Sequence, residues 1–103
     1  MATIKLKATV KVPRTVVIAC AVVNAATKLD LADMLITSGN DSQHMAGSKH
    51  YSDEALDFRT KHLTKSDKYA LVDEVRNRLG ADYDVILEFE GGANEHLHIE
   101  WDS

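Results

Sequence analysis

Hydrophobic and polar positions alternate strictly over residues 2–12, with Ile4, Leu6, Ala8, Val10 and Val12 set against Thr3, Lys5, Lys7, Thr9 and Lys11. A period of two predicts a strand with one buried face. Pro13 ends the pattern and suits the first turn of a helix. From Arg14 to about Leu29 the chain is apolar nearly all round, which predicts a mostly buried helix with Cys20 as core packing. Met34-Leu35-Ile36-Thr37 predicts a short strand, ended by the turn formers Ser38-Gly39-Asn40-Asp41. Residues 38–53 are polar, and a loop of that length is uncommon in a small domain unless it has a task. Ala55–Arg59 reads as a strand. A helix capped by Ser66 or Asp67 then runs to Leu79 and stops at Gly80, with Tyr69, Leu71, Val72, Val75 and Leu79 as its buried stripe. Tyr83 to Phe89 and Leu97 to Trp101 form a closing hairpin around Gly91-Gly92, with Phe89 and Trp101 as core aromatics. The pattern predicts an α+β fold, a small antiparallel sheet packed against two main helices, in a single domain over residues 1–103.

Composition narrows the function. The 103 residues carry 12 basic and 16 acidic side chains, a formal net charge of −4. Such acidity argues against a nucleic-acid partner, which calls for a basic face. It also gives no long-range attraction towards an anionic substrate. A lone cysteine excludes an internal disulfide and leaves the redox compartment open. Lys5, Lys7, Lys11 and Arg14 ahead of the apolar run Val16 to Val23 and Asn24-Ala25-Ala26 loosely resemble a secretion signal. The charged part alternates like a strand and the apolar run is too short to span a membrane, so a folded helix is the better reading.

The histidines carry the chemistry. His96 and His98 stand two apart on an expected strand, so both side chains leave the same face. Imidazole and carboxylate are the usual ligands of a catalytic zinc, although a His-x-His pair alone is more often exposed or satisfied than metal-bound. His50 and Asp57 lie at the end of the polar loop and on the strand that follows it. Arg59, two residues beyond Asp57, points to the same face, either binding a substrate carboxylate or forming an ordinary surface salt bridge. His62 reads as an exposed residue, and Glu74 with Arg78 as a helix-surface pair.

Ser48-Lys49-His50-Tyr51-Ser52-Asp53-Glu54-Ala55-Leu56-Asp57 resembles the Ser-x-His-x-x-Gly-x-Ala-x-Asp motif of M15-type zinc peptidases. These include D-alanyl-D-alanine carboxypeptidases and phage L-alanyl-D-glutamate endolysins, and the hedgehog domain shares their fold. Glu95-His96-Leu97-His98 resembles the second motif of the family, an acidic residue three positions before the last zinc-binding histidine. The likeness runs from about residue 14 to residue 102.

The resemblance implies one Zn2+ per chain, held by His50, Asp57 and His98. It also implies Glu95 as general base and His96 as donor to the substrate oxyanion. Gln43 and His44 are candidate stand-ins for an upstream group that polarises the scissile carbonyl. The usual glycine of the family is Asp53 here, a residue that tolerates the left-handed backbone better than most. The implied substrate is a peptidoglycan stem peptide, cut between L-alanine and D-glutamate. A D-Ala-D-Ala carboxypeptidase and a non-catalytic zinc-binding or virion module stand as alternatives. A phage origin would imply residence in the cytoplasm before lysis and action in the periplasm or cell wall, without a membrane span.

Overall fold

The computed structural model describes residue 7 and residues 12–39 and 53–102. The strand expected over residues 2–12 and the polar loop with Gln43, His44 and His50 lie almost wholly outside the described residues. Two helices and four strands follow one another as α1 (Arg14–Lys28), β1 (Ile36–Ser38), β2 (Ala55–Arg59), α2 (Lys65–Leu79), β3 (Tyr83–Glu88) and β4 (His96–Trp101). The strands form one antiparallel sheet in the order β1-β2-β4-β3. The α+β class and the pairing of two helices with a small antiparallel sheet are as the pattern predicts.

Alternation along the strands sorts side chains between the two faces of the sheet. Leu56, Phe58, Val85, Leu97 and Ile99 point towards the helices and join Ile18, Val22, Ala25, Leu71, Val72 and Val75 in one core. Residues of the opposite parity, Asp57 and Arg59 on β2 and His96, His98 and Glu100 on β4, occupy the other face. The register aligns them, with Asp57 opposite His98 and Arg59 opposite His96. On the far side of β4, Ile86 lies opposite His98 and Glu88 opposite His96.

Several local expectations change. Helix α1 is amphipathic rather than buried all round: Ile18, Ala21, Val22, Ala25 and Ala26 face the core, while Val16, Val17, Val23 and Cys20 are exposed. Cys20 is therefore not core packing. Helix α2 is capped by Thr64, not by Ser66 or Asp67; its hydroxyl accepts the Asp67 N–H at 3.1 Å. That satisfies one of the amides left open by the first turn. Gly80 ends the helix at φ 82°, a conformation that glycine adopts without steric cost. Tyr69 leaves the buried stripe and hydrogen-bonds Glu90 across the surface. Phe89 is 66% exposed, so it is not a core aromatic. Trp101 is half-buried beneath the Arg14 guanidinium, which lies 4.3 Å from the ring centroid. Glu74 meets Lys28 of α1 at 2.6 Å as well as Arg78 at 3.7 Å, so it links the two helices.

Candidate metal centre

Four side chains converge on the face of the sheet turned away from the helices, which no described element covers. One ligand atom each from Asp57, Glu88, His96 and His98 can be chosen so that all lie within 4.8 Å of one another. The antiparallel register produces this cluster: β4 contributes both histidines, β2 contributes Asp57 and β3 contributes Glu88. Asp57 and His98 are largely shielded from solvent, and Glu88 is the most open of the four. His62, read as non-ligating, is exposed and stands apart.

Each imidazole is held from outside the cluster. The His98 Nε2 lies 2.7 Å from Glu100 Oε1, and its Nδ1 lies 2.7 Å from Asp57 Oδ1. His96 Nδ1 donates to the Asn94 carbonyl at 2.7 Å, since that carbonyl can only accept. Its Nε2 faces Glu88 Oε1 at 2.9 Å and Asp57 Oδ1 at 3.8 Å. Both rings thus present one nitrogen to the carboxylates of Asp57 and Glu88 while an oxygen fixes the other nitrogen. Such outer hydrogen bonds are the usual means of orienting histidine ligands and setting their tautomer.

Without an ion, the cluster holds its surplus negative charge by keeping His98 protonated. The hydrogen bond to Asp57 raises the imidazole most strongly; burial opposes it, while Glu100 and Glu88 add to the rise, taking the ring to about 9. A divalent cation would supply the same positive charge. The donor set fits one: mixed imidazole and carboxylate ligands suit zinc and neighbouring transition metals. Ligands of a tetrahedral zinc lie roughly 3.4 Å apart. The 2.7, 2.9, 3.8 and 3.9 Å separations between nitrogens and carboxylate oxygens in the cluster bracket that spacing.

Comparison with family models, curated proteins and solved structures finds no match for this chain. The site must therefore be read from its own residues.

Of the ligands implied by the resemblance, Asp57 and His98 are brought together and His50 lies outside the described residues, as do Gln43 and His44. His96, expected as an oxyanion donor, stands among the potential ligands. Glu88 and Glu100 were not singled out in the sequence. Pairing the two arms of the expected hairpin would have brought Glu88 opposite His96, but that register depends on the length of the turn.

Glu95 is separated from this group. It shares the parity of Leu97 and Ile99 and turns to the helix side, where it is buried. Its Oε2 accepts from the Thr60 hydroxyl at 2.5 Å, and its Oε1 accepts from Lys68 Nζ at 2.7 Å and from the Gly91 N–H at 3.0 Å. Burial pushes the carboxyl up, but Lys68, Thr60 and Gly91 together overcome that effect and hold it at about 2. Glu95, expected as the general base, is thus engaged by Lys68, Thr60 and Gly91 rather than gathered with Asp57, Glu88, His96 and His98. Asp53, where the resembled motif carries glycine, takes the left-handed conformation at φ 57°. Its carbonyl accepts the Thr15 N–H at 3.2 Å, which ties the start of β2 to α1.

Proposed function

We propose that the protein is a zinc peptidase of M15 type that hydrolyses peptidoglycan stem peptides, cutting between L-alanine and D-glutamate. The convergence of Asp57, Glu88, His96 and His98 on one open sheet face carries this reading. The two sequence motifs support it independently, since Asp57 and His98 come from separate motifs 41 residues apart and meet at 2.7 Å. The hedgehog-like version of the α+β fold belongs to the same proposal.

Asp57, His96 and His98 are the ligands we assign among the described residues. A zinc ion bound there would lower the pKa of a water from about 15.7 towards 7 and polarise a peptide carbonyl. Glu88 takes the role first expected of Glu95. Its carboxylate lies within the cluster and is the most open of the four groups. It can accept a proton from water at a carboxylate oxygen and return it to the leaving amine nitrogen. Glu100 holds the His98 ring through Nε2, and the Asn94 carbonyl keeps the His96 proton on Nδ1.

One observation favours a second reading, a non-catalytic zinc-binding module. Four protein ligands would close the coordination sphere, as in structural zinc sites, whereas a catalytic zinc keeps one position open. The role of Glu88, ligand or base, separates the two readings. Mass spectrometry of muropeptides digested by zinc-loaded wild type and E88Q decides between them. The peptidase reading expects cleaved stem peptides from wild type and at least a hundredfold loss in E88Q, the scale of a general base, with zinc retained. Intact muropeptides with fully loaded wild type would support the module.

A further inference from the structure

The two edge strands of the sheet differ. Strand β1 is three residues long, and its register against β2 shifts between Ile36 and Ser38. Short, irregular edges resist pairing with another chain. Strand β3 is six residues long, pairs with β4 without interruption and carries the aliphatic run Val85-Ile86-Leu87, with Ile86 44% exposed. A strand of that kind is a template for a further strand unless something blocks it.

The ladder shows which backbone groups of β3 face outwards. The Asp102 N–H donates to the Asp82 carbonyl at 2.7 Å, which makes these two a hydrogen-bonded pair. Such pairs alternate along an antiparallel ladder, so Asp84, Ile86 and Glu88 bond to β4, while Tyr83, Val85 and Leu87 turn their N–H and C=O groups away from it. Two contacts agree with this. The Tyr83 N–H donates to the Gly80 carbonyl at 3.4 Å. The Val85 carbonyl accepts from both Nε and Nη2 of Arg76, at 3.2 and 2.7 Å. Arg76 reaches down from α2 and borders a cleft of about 440 Å³ beside β3. Its guanidinium thus takes the oxygen to which a neighbouring strand would donate. Asp84 and Glu88 project from the face of the sheet, so their charges leave the ladder itself open. Among the described residues, none bonds to the outward N–H of Val85 or Leu87.

We propose that Arg76 blocks the β3 edge against pairing with a second copy of this chain. The partner is a copy because the edge is self-complementary. Two β3 strands related by a two-fold axis at Val85 would bond Val85 to Val85 and set Tyr83 against Leu87. That central pair needs the very carbonyl that Arg76 occupies. Pairing would also enclose two guanidinium groups between the copies, at a cost in desolvation. Net charge does not explain the block: loss of one positive charge takes the formal charge from −4 to −5, which increases repulsion between copies.

The test combines sedimentation equilibrium with amide hydrogen exchange, on the full-length wild type and on R76A. Wild type is expected to be monomeric, with the Val85 and Leu87 amides exchanging at least about a hundredfold faster than those of Asp84 and Ile86. R76A is expected to double in mass at the same concentration. Its Val85 and Leu87 amides should slow by at least about tenfold. If R76A does not fold, R76M, which keeps the aliphatic stem, is read by the same two measurements. A monomeric variant, association that leaves these two amides unprotected, or a wild type in which they are already protected would each overturn the proposal.

Discussion

The carboxylates on the two sides of the sheet are neutralised differently. On the helix side, Glu95 is matched by Lys68, a cation that remains charged at any physiological pH and is anchored on α2. On the open side, Asp57, Glu88 and Glu100 surround His98, whose positive charge is a proton that can leave. A fixed cation makes a joint between elements, here between α2, the β3–β4 turn and Thr60. An exchangeable one leaves room for a metal ion. The difference sets the ion-paired Glu95 apart from the side chains that could hold a metal ion.

The strongest way to break this contrast is to remove the fixed cation. K68M leaves Glu95 buried beside only neutral donors, and chemical denaturation is expected to show a loss of roughly 3–5 kcal/mol. A change below 1 kcal/mol would mean that the pair is not a structural joint. Acid provides a gentler version of the same test. The carboxyl of Glu95 is held at about 2 in the folded protein, below its ordinary value of 4.5. Because the folded value is the lower one, its contribution is fully present above pH 4.5 and is lost as pH falls from 4.5 towards 2. The amount is roughly 3 kcal/mol. E95Q should flatten that part of the stability profile relative to wild type.

On the open face the expected effects are smaller and depend on metal. Zinc at a hundred times its dissociation constant should raise unfolding stability by about 2.7 kcal/mol, read as an upward shift in melting temperature. H98A should abolish that shift, while E95Q, if folded, should keep it. Smaller again is E100Q, which removes the carboxylate that orients His98 Nε2. Its zinc affinity is expected to fall between about tenfold and a hundredfold. An unchanged affinity would show that Glu100 does not orient the ligand. The smallest effect is expected at the exposed ring of Phe89, 5.9 Å from the His96 ring centroid. F89S should change stability by less than about 0.5 kcal/mol, since little of the ring is buried.

Much of this was legible in the chain, and the exceptions share a cause. The alternation in Ala55–Arg59 and around His96-Leu97-His98 identifies the strands and sends Asp57 and both histidines to one face, because side-chain direction in a strand is a local property. The cap was also locally encoded: Thr64 with Asp67 three residues on has the spacing of a capping box, which the choice of Ser66 or Asp67 overlooked. What local pattern does not reveal is which side of an element a second layer covers. Cys20, Tyr69 and Phe89 are apolar enough for a core, yet among the described residues no layer packs over them. Glu95 shows the same limit for charge. A motif spacing suggested a base, while the neighbour that fixes its role, Lys68, is 27 residues distant and reaches it only through the packing of α2.

Calorimetric titration of zinc into the metal-free protein tests the central claim most directly. We expect one ion per chain, with binding abolished in a D57A/H98A variant and essentially unchanged in E95Q. A wild-type protein that takes up no zinc, or a D57A/H98A variant that binds it with undiminished affinity, would contradict the assignment of the open face as a metal centre.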